Sequence, residues 1–256
     1  MTEHKLAILS QAVFLFFFPS LVLAVQDPDQ VIAELDHKYY YPQQQGLTRL
    51  SFRITLEQLD TKSENGRSLR LPDVQFFWKR GDGDPDLTLA EPDKSISKAN
   101  GKTTLNLLEN LKEAFIPTTL MDRFRNQRGR IKSRNSRQAL LEFEPKDPDH
   151  LVNKYQLFVD LKNNRVEKIR LARKTEPRLV KGEFRYILKE GKWLVSEAVS
   201  RYWIGEAEYT ERLEYFYKKV RSLWLVSKII QSIKTEGRTV QSLVLRTSRF
   251  RFIGEK

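Results

Sequence analysis

From Leu50 onward the chain alternates. Leu50, Phe52, Ile54 and Leu56 take one side, and Ser51, Arg53, Thr55 and Glu57 the other. This period of two marks a half-buried antiparallel strand with one wet face. Val74, Phe76 and Trp78 repeat it after Pro72, and Gly81-Asp82-Gly83-Asp84-Pro85 makes a tight turn. Ala139, Leu141 and Phe143 alternate with Gln138, Leu140, Glu142 and Glu144. Tyr155, Leu157, Val159 and Leu161 then lead through Lys162-Asn163-Asn164 into Val166, Ile169 and Leu171, a hairpin. Further strands are predicted over 184–188, 193–203, 208–217, 225–233 and 240–252, with Gly191-Lys192 and Glu236-Gly237 as hairpin turns.

Two stretches carry helical spacing instead. Val31, Leu35 and Tyr39, flanked by Ile32, form one apolar stripe that Asp27 or Asp29 could cap. Within 101–128, Leu105, Leu108, Leu111 and Phe115 follow a helical period, Pro117 interrupts, and Leu120, Met121 and Phe124 predict a second short helix. The count is about ten or eleven strands with two or three short helices, and no βαβ rhythm. The fold class is therefore mainly β (α+β): one strongly curved antiparallel sheet, or an unclosed barrel, with the helices on its concave face. No internal repeat or linker divides the chain.

The first residues add an address. Lys5 precedes an apolar run from Leu6 to Leu23, and Val22-Leu23-Ala24 supplies small residues for cleavage. This is the layout of a secretory signal peptide over 1–24, leaving 25–256 as a single domain. The alternative, a retained membrane anchor, is disfavoured by Ser10, Gln11, Pro19 and Ser20 within the run. An exported, periplasmic protein is expected, which removes most nucleic-acid and ATP-dependent readings. The chain has no cysteine, so it folds without disulfides, is not itself a lipoprotein, and has no thiol chemistry. Its formal net charge of +12 fits either a contact with anionic lipid, polysaccharide or an acidic partner, or a generally basic soluble surface.

Candidate chemistry is sparse. The histidines are His4, His37 and His150, and none lies in a triad or metal pattern. Asp82, Asp84 and Asp86 alternate, but Pro85 interrupts them and the remaining positions of a calcium loop are missing, so an ordinary turn is expected. No catalytic residue, metal or cofactor is expected. Arg123, Arg125, Arg128 and Arg130 open a basic stretch running to Arg137, with Asp122 as its one nearby acid. It reads either as a contact for anionic lipid or an acidic partner, or as a solvated loop. The inward aromatics Phe52, Phe76, Trp78, Phe143, Tyr155, Phe184, Tyr186, Trp193, Tyr215 and Tyr217 read either as filled core or as the wall of a cavity.

Three segments carry a resemblance: "VIAELDHKYYYPQQQGLTRLSFRITL", "SLRLPDVQFFW" and "ALLEFEPKDPDHLVNKYQLFVDLKNNRVEKIRLA". Together they resemble the periplasmic lipoprotein-carrier superfamily, including its broader lipoprotein-sorting-like members. The resemblance implies an unclosed antiparallel barrel whose helices form a lid over a cavity for acyl chains. On this sequence it would place Leu50, Phe52, Ile54, Leu56, Val74, Phe76, Trp78, Leu141, Phe143, Leu157 and Val159 on the cavity side, and Leu108, Leu111, Phe115 and Leu120 in the lid. Well-studied carriers hold the lid with an Arg before the Pro of the second segment. Leu71 stands there instead, with Arg70 and Arg67 close by. From about 176 onward the chain is longer and richer in strands than a classical carrier.

The expected function is a non-enzymatic, monomeric carrier or binding protein that takes an acyl chain or a lipoprotein's lipid, releasing it when the helices of 101–128 move. Its partners would be a lipid or an acylated protein. The alternative is a periplasmic regulatory or scaffolding protein of the same fold that binds an envelope protein, as an exported sensor of this fold binds an anti-sigma factor. An enzyme acting on envelope lipid or polymer is the weakest reading, since no nucleophile or acid–base pair can be named.

Overall fold

The computed structural model describes residues 27–59, 68–90 and 98–254. The segment expected to be a signal peptide lies outside them. Twelve strands form one antiparallel sheet: β1 (Leu47–Leu59), β2 (Ser68–Lys79), β3 (Asp86–Leu89), β4 (Gln127–Arg134), β5 (Gln138–Pro145), β6 (Val152–Asp160), β7 (Arg165–Arg173), β8 (Leu179–Lys189), β9 (Lys192–Ile204), β10 (Ala207–Val220), β11 (Leu223–Thr235) and β12 (Arg238–Gly254). Four α-helices accompany it: α1 (Pro28–Lys38), α2 (Lys98–Glu109), α3 (Lys112–Phe115) and α4 (Leu120–Phe124).

The order is β3-β2-β1-β12-β11-β10-β9-β8-β7-β6-β5-β4. A meander from β4 to β12 thus returns to pair with β1, and β3 and β4 remain as edges, so the barrel is unclosed. The chain leaving β3 must reach the opposite edge, and α2, α3 and α4 make that crossing over the inner face. The two strands beyond the ten predicted ones are those edges. β3 is four residues long, and β4 turns only Ile131 and Gln127 partly inward, so neither shows a full alternating pattern. The like charges along β4 also discourage it from pairing with the same edge of another copy.

Local chemistry fixes the connections. Asp27 caps α1 by accepting from the Asp29 amide, and Pro28 opens the first turn. Glu190-Gly191 and Glu236-Gly237 both have positive φ, the two-residue type I′ turn that matches strand twist. The first of these lies one residue earlier than predicted. Pro72 falls where the β1–β2 register shifts between Ile54 and Leu56, so the bulge absorbs the missing donor.

The turns β4–β5, β6–β7, β8–β9 and β10–β11 share one end of the sheet, the first end. Those joining β5–β6, β7–β8, β9–β10 and β11–β12 share the second. Apolar burial is divided in two. One cluster joins β1, β2, β11 and β12 to α2 and α3, and includes Phe52 stacked on Phe76 at 4.5 Å. The other joins β5, β6 and β7 to α1 and α4, and includes Phe124 stacked on Phe143 at 4.2 Å. Strands β8, β9 and β10 lie between them.

Candidate functional site

A cavity of about 470 Å³ occupies the inner face between the two clusters. Its floor comes from alternate positions of β7 to β10: Ile169 and Leu171, Val180 and Gly182, Ala198 and Ser200, Leu213, Tyr215 and Tyr217. Its roof is Leu111, Ala114, Phe115, Leu120 and Phe124 of the crossing helices. At the first end the stretch Tyr39 to Pro42 closes it. The Tyr40 amide donates to the Trp193 carbonyl at 2.9 Å, and the Tyr40 hydroxyl accepts from the Trp224 amide at 2.8 Å. Tyr40, Tyr41 and Pro42 are buried, whereas Leu171, Val180, Ser200 and Leu213 toward the second end are half-buried.

Hydrogen bonding stiffens the closed end. The Tyr39 hydroxyl accepts from the Val166 amide at 2.7 Å, and the Tyr186 hydroxyl donates to the Val166 carbonyl at 2.6 Å. The Tyr39 hydroxyl proton is thus left to point at the Tyr186 oxygen, 3.3 Å away. Burial pushes the Tyr39 phenol up to about 12, and pushes Tyr186 up as well. These groups stay neutral donors and acceptors through the physiological range.

The lid is tied down by a residue of α1. Asp36, 7 % exposed, accepts from the Tyr41 hydroxyl at 2.5 Å and from the Leu120 and Met121 amides, each at 2.8 Å. Those amides are the first two of α4, which a helix cannot satisfy internally. Leu71, which precedes Pro72, is buried in the first apolar cluster. Arg70 there pairs with Asp73.

The expected cavity residues divide. Leu157 lines the cavity. Leu50, Phe52, Ile54, Leu56, Val74, Phe76 and Trp78 pack in the first cluster, and Leu141, Phe143 and Val159 in the second. Of the expected lid, Leu111, Phe115 and Leu120 face the cavity, while Leu108 is buried in the first cluster. Six of the ten inward aromatics line it: Tyr155, Phe184, Tyr186, Trp193, Tyr215 and Tyr217. The small residues Gly182, Ala198 and Ser200, which leave the space open, carried no signal that separates a void from a core. At Gly182 an added Cβ would lie 2.7 Å from Ile169 Cγ2.

Folding supplies partners for the basic stretch. Arg123 pairs with Glu113 and lines the cavity, Arg125 pairs with Asp122, and Arg130 pairs with Glu142 and Glu144 across the β4–β5 ladder. Arg128 is exposed with no ion pair among the described residues. The same holds at the first end for Arg134, Arg137, Lys162, Arg221 and Arg249, so positive charge gathers on that rim. A broad depression on the outer face of β7 to β11 is built differently. Its Lys168–Glu183, Arg185–Glu197 and Arg212–Glu197 pairs make it an ion-paired surface. His37 is exposed on α1, and His150 sits in an exposed loop. Among the described residues no three His, Cys, Asp or Glu side chains converge as a metal site would need.

No family model and no curated protein matches the sequence. Structural comparison finds a LolA superfamily protein from Nitrosomonas europaea, with 11 % identity over 89 % of this chain and 94 % of that one, at a TM-score of 0.37. It also finds an outer membrane lipoprotein-sorting domain, so described provisionally, from Vibrio parahaemolyticus, with 13 % identity over 88 % and 91 %, at a TM-score of 0.37. A third likeness is to the Pseudomonas aeruginosa MucA/MucB complex, with 9 % identity over 89 % and 99 %, at a TM-score of 0.20.

Proposed function

We propose that this chain is an exported carrier or binding protein that holds an acyl chain, free or on a lipoprotein, in the cavity over β7 to β10. The observation that carries the reading is an apolar space of about 470 Å³ between two packed clusters, within the roughly 300–1,000 Å³ of ligand sites. Each methylene moved from water into it would contribute about 0.8 kcal/mol. Among the expected wall and lid residues, Leu157, Leu111, Phe115 and Leu120 are the ligand contacts. The other ten expected wall residues and Leu108 support the site as packed core. Arg128 and the unpaired cations of the first end are assigned to an anionic surface. Entry and release go through movement of α3 and α4, held shut by Asp36. No step in this function needs a nucleophile or a metal.

The test is native mass spectrometry and lipid extraction of protein exported in a Gram-negative host. Co-purifying acyl lipid, and a rise in melting temperature with added acyl ligand, are expected. Persistently lipid-free protein with no ligand-induced rise would overturn the reading. A second reading, a regulator that binds a protein partner, is favoured by one observation: β4 is an edge strand with exposed Arg128, Lys132 and Arg134. Such an edge could add a strand from an acidic partner. A single stoichiometric protein partner, captured without lipid, would support it.

A further inference from the structure

The apolar floor ends at Ser200 and Leu213, and the next inward positions toward the second end have different chemistry. Glu211 follows Leu213 on the inner face of β10, directly across from Ser200. Tyr209 follows Glu211 and stacks on Tyr202 of β9, with ring centroids 5.7 Å apart and planes 8° from parallel. On the other side of Glu211, Tyr215 lies beyond Leu213 on the same face. Burial raises the Tyr202 and Tyr215 phenols, and the Glu211 carboxylate adds to both shifts.

The carboxylate is held but not neutralised. Gln231, 8 % exposed, donates through Nε2 to Glu211 Oε1 at 2.5 Å. Among the described residues no donor reaches Oε2, and no Lys or Arg pairs with Glu211. That is unexpected in a chain of net charge +12. Arg173, the cation on the inner face of β7, is three strands away. A half-buried carboxylate gives up hydration that an opposite charge restores, and flanking aromatic faces attract a cation rather than an anion.

We propose that Glu211, with Tyr202, Tyr209 and Tyr215, binds the ammonium head of an amphiphile whose hydrocarbon chain fills the cavity. This rests on the acyl-cavity reading and adds the head-group class. Apolar burial supplies affinity and the carboxylate supplies selection, because an anionic head in the same place meets like charge.

The test compares dodecylamine, dodecanol and dodecanoate by calorimetry at neutral pH, each below its micelle concentration. The amine should bind at least tenfold tighter than the alcohol, and dodecanoate weaker than either. Glu211→Gln should bring amine affinity down to that of the alcohol and leave the alcohol unchanged. Equal binding of amine and alcohol by the natural protein would overturn the proposal while leaving the cavity reading intact. So would an amine preference that survives in Glu211→Gln. Failure of all three amphiphiles would overturn the cavity reading and this one with it. The wild-type ratio decides the matter even if the variant does not fold.

Discussion

Replacing Asp36 by Ala should loosen the lid more than any other single change to a polar side chain. Asp36 accepts three hydrogen bonds, from the Tyr41 hydroxyl and the Leu120 and Met121 amides, and is itself 7 % exposed. Truncation leaves the Tyr41 hydroxyl, in a residue 3 % exposed, and two helix-opening amides without acceptors. A hydrogen bond to a charged group is worth about 1.5–3 kcal/mol, and an orphaned buried donor costs about 1–3 kcal/mol. These overlap and water reaches the amides once α4 shifts, so the net loss should be about 3 kcal/mol rather than the sum. Urea unfolding would read this as a lower midpoint at constant slope. Hydrogen exchange gives the local signature, with faster exchange at Leu120 and Met121 than in β5 or β11. Asp36→Asn keeps one acceptor oxygen and should lose about half as much. A loss under 0.5 kcal/mol in Asp36→Ala, with unchanged exchange at those amides, would refute the clasp.

Ala198→Phe fills the cavity from its floor. It should abolish the melting-temperature rise caused by acyl ligands while changing unfolding free energy by less than about 1.5 kcal/mol. Val199→Phe, on the outer face, should leave that rise intact, and equal effects from both would count against the cavity. At Gly129 an added Cβ would lie 2.7 Å from Phe143 Cε1 and 2.9 Å from Pro28 Cγ. Gly129→Ala should therefore cost about 2 kcal/mol by over-packing α1 against β5, and a cost under 0.5 kcal/mol in urea unfolding would contradict that contact. Glu142 makes stability depend on pH. Burial would raise its pKa, but hydrogen bonds from Arg130 and Gln156 and the nearby Lys154 outweigh this and hold it at about 2, below the ordinary 4.5. A depressed carboxyl stabilises above its unfolded pKa and loses that contribution as pH falls toward its folded one. Glu142 should thus contribute about 2 kcal/mol above pH 4.5, after allowing for screening at the exposed Arg130, and lose it progressively toward pH 2. Glu142→Gln should flatten that part of the stability–pH curve, and an unchanged slope would discount the network.

What the sequence reveals depends on how local the cause is. The ten strands with one apolar face were legible because a period of two is written in consecutive residues. β3 and β4 were not, because an edge strand buries little and needs no apolar face. Helix spacing located α1, the stretch that α2 and α3 divide between them, and α4, with Pro117 marking the break before α4. The clasp was hidden for another reason. Asp36 and Leu120 are 84 positions apart, and nothing in either neighbourhood asks for the other. The ion pairs of Arg130 were hidden in the same way, because Glu142 and Glu144 arrive only through the β4–β5 register. The cavity is the sharpest case. Phe52 and Tyr215 have the same alternating pattern and both face inward, yet Phe52 meets Phe76 and Phe115 whereas Tyr215 faces open space. The difference lies in where the crossing helices land. α2 and α3 cover one arm of the curved sheet, and α1 and α4 cover the other. Between them β8 to β10 keep an apolar inner face that no helix fills, with Gly182, Ala198 and Ser200 too small to close it. A pattern of inward residues can specify a face to be covered, but only the path of the connections decides whether protein or ligand covers it.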